Sequence, residues 1–135
     1  MILPVLHLVA CCSEKLPHAA PARDLYCSQL FTLTRAVVDH EPWAILSCKH
    51  GLVWPDTVLE PYDMQLGGKI ERERRQWAER VLAVMPKAER YILWCGMTYA
   101  EFLAGPLRAE RPTQGMGIGK QKAYLKMRAA IRGIT

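Results

Sequence analysis

The sequence predicts a single α/β domain spanning residues 1–135, a three-layer sandwich around a small, mostly parallel central sheet. Three short apolar runs have the length and composition of buried strands, and helical patterns separate them along the chain. Strands that alternate with helices are typical of a parallel sheet whose crossovers cover both faces. The chain has 135 residues, half of them hydrophobic, which suits one domain with its own core.

The first half of the chain predicts two buried strands with a helix between them. Residues 5–11 form a short, mostly apolar run and residues 43–47 form another, as is typical of buried strands in a parallel sheet. A helix is predicted from residue 24 to about residue 40, because apolar side chains recur there on one helical face. These side chains are Tyr26, Leu30, Leu33 and Val37.

A long loop and the strongest helical pattern follow the second strand. The loop is expected at 52–66, where Pro55 and Pro61 exclude a regular helix and one more short strand would still fit. A helix is predicted over 70–85, where charged and polar residues occupy one side. Its apolar side is expected to contain Ile70, Trp77, Val81 and Val84.

The last third of the chain predicts one more strand and two helices. A capping-box spacing between Thr98 and Glu101 indicates a short helix after the strand. The final helix is expected to face Ile118, Leu125 and Ala129 inward. The predicted elements are a strand at 91–96, a short helix at 99–104, a loop at 105–117 and a last helix at about 119–132.

The charge balance favours an anionic partner. The formal net charge is +5 and the isoelectric point is about 9.1. Such an excess points to nucleic acid first, although charge carries no information about the fold. No apolar run approaches the roughly 18 residues that a membrane span needs, so we expect no membrane partner.

The five cysteines include no CxxC pair. The N-terminal apolar run lacks the basic start and small-residue cleavage site of a signal peptide, so we expect reduced thiols and a cytoplasmic location. Cys11, Cys48 and Cys95 lie at predicted strand ends, where His50 or Cys12 could complete a metal site. Because cysteine also packs readily as a small buried side chain, we expect no metal and no cofactor.

Polar and basic residues follow the predicted strands, at the edge where ligands bind in open α/β sheets. After the first two strands these residues are Cys12, Ser13, Lys15, Ser47, Lys49 and His50. A hydroxyl, an ammonium group and the backbone N–H groups of a turn suit a phosphate, so Ser13 and Lys15 are candidate phosphate ligands. A solvated turn would explain these two residues equally well.

The long loop closes with Pro61, Tyr62 and Asp63. Tyr62 is a candidate for stacking on a nucleobase, and Asp63 is a candidate general base or hydroxyl-orienting group. The alternative is structural, because an aromatic side chain can plug a loop and an aspartate can stabilise a turn. For Tyr62 the structural interpretation has at least equal weight.

A glycine-rich turn precedes the last predicted helix and contains Gly117, Gly119, Lys120 and Gln121. It departs from the phosphate-binding loop of nucleotide hydrolases, because Gln121 stands where that motif needs Ser or Thr. Bare N–H groups at a helix start still favour an anion, so we expect phosphate contacts here. Further basic residues follow on the helix: Lys122, Lys126, Arg128 and Arg132. A solvated lysine face would have the same composition.

Several of these motifs together resemble a known family. The quoted residues are Ser13 and Lys15, Asp24 to Tyr26, Ser47, Gly51, Pro55, Pro61 and Tyr62, and Gly117, Gly119 and Lys120. The pattern is similar to the peroxide-stress protein YaaA family, and more so to short uncharacterised phage and bacterial domains related to it. The resemblance implies DNA binding and a link to oxidative damage. The turn at Cys12 is more distantly similar to uracil-DNA-glycosylase-like domains that accompany RNA-base transglycosylases.

These observations predict a nucleic-acid-binding domain that recognises or processes a nucleobase, with DNA favoured over RNA. Cleavage of an N-glycosidic bond is the reaction considered, with Asp63 positioning water or stabilising the sugar and His50 contacting the base. Two alternatives stay open: a non-catalytic DNA- or RNA-binding module, and an enzyme that acts on a free nucleotide. The oligomeric state is left undetermined.

Overall fold

A computed structural model describes residues 1–131 of the chain. Its strands are β1 (Leu6–Ala10), β2 (Ala20–Pro21), β3 (Trp43–Ser47), β4 (Gly51–Val53), β5 (Val58–Leu59) and β6 (Tyr91–Trp94). Its helices are α1 (Ala22–Leu25), α2 (Gln29–Val38), α3 (Glu71–Ala83), α4 (Met97–Ala100), α5 (Ala104–Leu107) and α6 (Ile118–Ile131), with a 3₁₀ turn at Leu66–Gly68. The end of the last predicted helix, including Arg132, lies outside the described residues.

The central sheet has four strands in the order β4-β3-β1-β6. Strand β1 pairs in parallel with both β3 and β6, so that Leu8 lies opposite Ala44 on one side and Leu93 on the other. Strand β4 folds back antiparallel to β3 and is the short strand for which the long loop left room. The predicted mostly parallel sheet is confirmed, and the carboxyl ends of β1, β3 and β6 share one edge.

Helices cover both faces of this sheet, which confirms the three-layer architecture. One core cluster packs α2 and α6 against Val5, Val9 and Ile45. The other packs α3 and the chain around α4 against Leu6, Leu8 and Leu46. Side chains alternate between the two clusters along β1, as the pleat of a strand doubly covered by helices requires. None of the helices in the described part of the chain is long and apolar enough to cross a membrane.

The helix predicted from residue 24 is wrong at its start. The chain forms the short α1, becomes extended at Tyr26, and begins α2 only after Ser28. The hydroxyl of Ser28 accepts a hydrogen bond from Phe31 N at 3.1 Å and caps α2. Tyr26 therefore belongs to the connection before α2, where a backbone bridge pairs it with Lys15.

Three of the side chains predicted to face inward are exposed instead. Ile70 and Val84 occupy the two caps of α3 and are 55% and 64% exposed, beyond the turns that lie over the sheet. Ile118 is the first residue of α6 and is 62% exposed. Leu125 and Ala129 are buried as predicted. The chain predicted as one short helix at 99–104 contains two, α4 and α5, and α5 extends into the predicted loop.

Buried His7 on β1 is held in one tautomer. The indole Nε1–H of Trp94 donates to His7 Nδ1 at 2.9 Å, so Nδ1 must be unprotonated. The proton is therefore on Nε2, which donates to Glu41 Oε1 at 2.8 Å. Burial lowers the pKa of His7 below its usual 6.5, despite the opposing effect of the Glu41 carboxylate.

We expect this histidine to make the fold sensitive to mild acid. The pKa of His7 is lower in the folded protein than in the unfolded chain. The neutral ring therefore contributes fully to the free energy of unfolding above pH 6.5, and this contribution is lost as the pH falls through the folded-state pKa. The melting temperature should therefore drop as the pH falls below about 6.5, in wild type and in the exposed-site control His18→Gln. His7→Gln should lack that part of the drop, and an unchanged pH profile in this variant would contradict the assignment.

Candidate functional site

A chain of hydroxyl groups lies where β3 ends. Ser47, the last residue of β3, is completely buried, and its Oγ lies 2.7 Å from the hydroxyl oxygen of Tyr62. The Tyr62 hydroxyl also lies 2.5 Å from that of Tyr26. The backbone N–H of His50 donates to Ser47 Oγ at 3.0 Å, and Trp77 Nε1 donates to the Ser47 carbonyl at 2.9 Å. Four separate segments of the chain thus meet at Ser47.

Two lysines and a histidine surround the Tyr62 ring. Lys15 Nζ lies 4.4 Å from the ring centroid and 5.8 Å from that of Tyr26, and Lys49 Nζ lies 5.6 Å from the Tyr62 centroid. The His50 ring meets Tyr62 edge-on, with 5.3 Å between the centroids. Such distances allow cation–π attraction of both ammonium groups to one aromatic ring. We call Lys15, Tyr26, Ser47, Lys49, His50 and Tyr62 together the Tyr62 cluster.

Backbone geometry places these side chains. Lys15 is fixed by its bridge to Tyr26 and by the hydrogen bond from Leu16 N to Leu25 O, 2.9 Å long. Lys49 and His50 lie on the tight turn between β3 and β4. That turn ends at Gly51 with φ of 73°, a left-handed conformation that glycine adopts at little cost.

The two lysines are the charged groups of the Tyr62 cluster, because its tyrosine and histidine side chains are neutral at neutral pH. Burial raises the pKa of Tyr62 and of Tyr26 above their usual 10, so both hydroxyls are protonated at neutral pH. Burial, and secondarily Lys49, lowers the pKa of His50 below its usual 6.5, so its ring is neutral. None of the ion pairs among the described residues includes Lys15 or Lys49.

Two cavities lie near the cluster along the same edge of the sheet, and a third, about 200 Å³, is lined by Lys49 of the cluster itself. The Ser13 cavity, about 260 Å³, is lined by Cys11, Cys12, Ser13, Gln65, Thr98 and Tyr99 among others. The central cavity, about 290 Å³, lies between α2, α6 and the ends of β1 and β6. Its wall includes Cys12, Phe31, Thr98, Tyr99, Thr113 and Gln121. Lys15 Nζ reaches the Ser13 carbonyl at 3.4 Å, which connects the cluster to the first cavity.

The structure brings together only part of the predicted site. Lys15, Ser47, Lys49, His50 and Tyr62 form the cluster described above. Cys12 and Ser13 line the adjacent Ser13 cavity, and Gln121 lines the central cavity. Gly117, Gly119 and Lys120 are exposed at or just before the start of α6, and within residues 1–131 none of them takes part in the hydrogen bonds or ring contacts of the cluster.

Asp63 stands apart from the hydroxyl chain. It is exposed, although Tyr62 next to it is half-buried. Within residues 1–131 its carboxylate takes part in none of the ion pairs or side-chain hydrogen bonds. It is therefore free to meet a ligand, but no neighbouring group holds it in a catalytic geometry.

Sequence reasoning missed Tyr26 and Tyr99 as site residues. The Tyr99 hydroxyl lies 3.1 Å from Cys11 Sγ, and its ring packs edge-on against Trp77 at 5.5 Å. Burial raises the pKa of Tyr99, so it too is protonated. Tyr26 belongs to the Asp-Leu-Tyr motif of the family resemblance, which could have marked it as a site residue. Its helical spacing from Leu30 instead predicts it as one of the apolar residues of a helix.

The five cysteines divide among three environments, and Cys27 is exposed to solvent. Cys11, Cys12 and Cys95 line the central cavity, whereas Cys48 is buried in the core beneath α3. Burial raises the pKa of Cys95 to about 12 and that of Cys48 above its usual 9.0, so both are unreactive thiols. Among residues 1–131 no three His, Cys, Asp or Glu side chains are grouped so as to hold a metal ion.

The chain belongs to a family of unknown function, DUF6884, whose model matches residues 6–127. No curated protein and no solved structure matches the chain. The comparisons add no support for the resemblance to YaaA or to uracil-glycosylase-like domains, which stays a prediction.

Removal of the Tyr62 hydroxyl should destabilise the fold. Tyr62→Phe removes one hydrogen-bond partner from the Tyr26 hydroxyl and one from Ser47 Oγ, at a cost of about 1–2 kcal/mol in unfolding free energy. In Tyr124→Phe the lost hydroxyl only accepts from Arg128 one turn along the same helix, so about 0.5 kcal/mol or less is expected. Urea denaturation measures both, and equal losses would contradict a structural role for the Tyr62 hydroxyl.

Proposed function

We propose that this chain is a nucleic-acid-binding domain that holds phosphate at the Tyr62 cluster and recognises or processes a nucleobase in the adjoining cavities. One observation carries the proposal. Lys15 and Lys49 both approach the Tyr62 ring, at 4.4 and 5.6 Å from its centroid, and neither is neutralised by a carboxylate of the described residues. Two like charges held at one ring attract an anion placed beside it.

The position of the cluster supports the same ligand class. It lies at the carboxyl edge of parallel strands, where open α/β sheets bind ligands. The hydroxyls of Tyr26, Ser47 and Tyr62 stay protonated, so they add no negative charge to oppose a phosphate. In this arrangement the Tyr62 ring orients the two lysines, and its hydroxyl anchors the loop. Other aromatic side chains would then stack on a base. The net charge of +5 favours a polyanion over a neutral ligand.

A nucleobase fits the central cavity better than the exposed surface. Its volume of about 290 Å³ is close to the lower end of the range of ligand pockets, roughly 300 Å³ upward. Phe31 and Tyr99 contribute aromatic surface, and Thr98, Thr113 and Gln121 contribute polar groups that can read the edge of a base. A base inside a duplex cannot reach such a cavity, so a single strand or a flipped base is the expected substrate.

Loss of the two lysines should weaken binding and its dependence on salt. In fluorescence anisotropy with single- and double-stranded DNA and RNA, each of Lys15→Gln and Lys49→Gln should lower the slope of log affinity against log salt by about 1. The matched control removes two charges elsewhere: Lys87→Gln together with Arg72→Gln, both exposed. This double variant should retain the wild-type slope.

Two results would overturn the proposal. Absence of salt-dependent binding to any strand by the wild-type chain would exclude a nucleic-acid partner. Tight binding of a free nucleotide with no binding of strands would identify an enzyme or receptor for small phosphate compounds instead. If DNA is the partner, as we expect, RNA strands of the same sequence should bind more weakly.

The catalytic part of the proposal assigns Asp63 to the chemistry and His50 to contact with the base. Because neither residue lines the central cavity, this reaction places the base beside the Tyr62 cluster instead. If the chain cleaves an N-glycosidic bond, an oligonucleotide incubated with it should release free base, detectable by liquid chromatography. Asp63→Asn should then lower the rate by roughly 10²–10⁴-fold, because a carboxylate that positions water or stabilises the sugar cation is lost. Wild-type activity in Asp63→Asn would remove Asp63 from the chemistry. Binding without any released base would identify a non-catalytic module.

A further inference from the structure

Arg111 is held beside the end of β6 by backbone pairing. Leu93 N donates to Glu110 O at 2.8 Å, and Glu110 N donates to Tyr91 O at 2.9 Å. The next residue, Arg111, therefore has a fixed backbone position at the carboxyl edge of the sheet. Its side chain is half-buried, and its Nε is fully buried without a hydrogen-bond partner among the described residues. Buried donors of this kind are rare in folded proteins, and each needs an explanation.

Among the described residues, no acidic side chain lines the cavity next to Arg111. This Arg111 cavity, about 360 Å³, is lined by Cys95, Gly96, Met97, Arg111, Thr113, Gln114, Gly115, Met116 and Gln121. Burial raises the pKa of Cys95 to about 12, so its thiol brings no negative charge. No ion pair within residues 1–131 includes Arg111. The guanidinium therefore has neither a carboxylate nor a thiolate partner within the described residues.

Three cavities are neighbours along the edge of the sheet, because adjacent ones share lining residues. The Arg111 cavity and the central cavity share Cys95, Gly96, Thr113 and Gln121. The central cavity and the Ser13 cavity share Cys11, Cys12, Thr98 and Tyr99. Lys15 reaches the Ser13 carbonyl at the far end. We call this row of neighbouring cavities the edge groove; the Tyr62 cluster lies next to one end of it, and Arg111 lines the other.

We propose that Arg111 is a second phosphate-binding residue. The Tyr62 cluster holds one phosphate of a strand at one end of the edge groove, and Arg111 binds another phosphate of the same strand at the opposite end. The inference rests on the proposed function, since it assigns the ligand of that site. A guanidinium presents planar, paired donors that match two oxygens of a phosphate, which a lysine cannot reproduce. The uncharged middle of the groove, which includes Phe31 and Tyr99, suits the base or sugar between two phosphates.

Arg111→Gln tests this role when binding is measured against ligand length. Anisotropy with a labelled mononucleotide and with progressively longer single strands should give unchanged affinity for the shortest ligand. Longer strands should bind Arg111→Gln more weakly, with a salt slope lower by about 1. Arg111→Lys should recover the slope but only part of the affinity. The control Arg108→Gln removes an exposed arginine of the same segment and should match wild type.

A spectroscopic readout separates ligand binding from a structural role. The Nε–H NMR signal of Arg111, assigned by its loss in Arg111→Gln, should shift when a long strand is added and should stay unchanged with the mononucleotide. A variant that melts at lower temperature but keeps the wild-type affinity and salt slope would show an arginine with a structural role only. That result would overturn the inference.

Failure of the proposed function gives a different pattern. If Lys15→Gln and Lys49→Gln lower affinity while Arg111→Gln behaves like Arg108→Gln, the proposed function stands and the role of Arg111 is wrong. If the wild-type chain binds neither strands nor mononucleotide, the proposed function fails and the strand-spanning role fails with it. Titration of inorganic phosphate against the Arg111 Nε–H signal then decides whether the residue binds any anion.

Discussion

The hydrogen bonds of Ser47 are the interaction on which this site depends. Its carbonyl accepts from Trp77 of α3, and its hydroxyl contacts Tyr62 and accepts from the backbone of His50. A single buried residue at the end of β3 therefore fixes one helix, the turn after the strand and the far end of a long loop. Because Ser47 is completely buried, each of these polar groups must find its partner within the protein.

The same constraint concentrates positive charge. With Tyr62 fixed by its hydroxyl, the ring becomes a stationary surface for Lys15 and Lys49, which come from the connections after β1 and β3. Cation–π attraction contributes about 0.5–1 kcal/mol at exposed sites, enough to bias two flexible side chains but too little to neutralise them. The edge of the sheet is thus both ordered and positively charged, as an anion-binding site requires.

The features that could be predicted from the sequence are those that depend on residues close together along the chain. Three strands followed from apolar runs, and Ser47, Lys49 and His50 were found because they directly follow one of them. The helical spacing of apolar residues from Tyr26 onward predicts one helix, but the chain is extended at Tyr26. The helix begins only after Ser28, which caps it, so the spacing continues across a break in the helix. The contact between Cys11 and Tyr99 spans 88 residues of sequence, and the position of Arg111 depends on pairing with β6. Contacts between residues this far apart in the sequence cannot be predicted from a local sequence pattern.

The distribution of charge along the edge groove discriminates between classes of anion. A compact dianion would be held best by cations that converge on one point. Here Lys15 and Lys49 lie near one end and Arg111 lies at the other. The described residues that line the wall between them have thiols, hydroxyls, amides and aromatic rings but no carboxylate. Nucleic acid has the matching alternation, with charged phosphates separated by uncharged sugars and bases. In our proposal, the separation of the cations between the two ends of the edge groove is the argument for a strand rather than a single phosphate compound as the ligand.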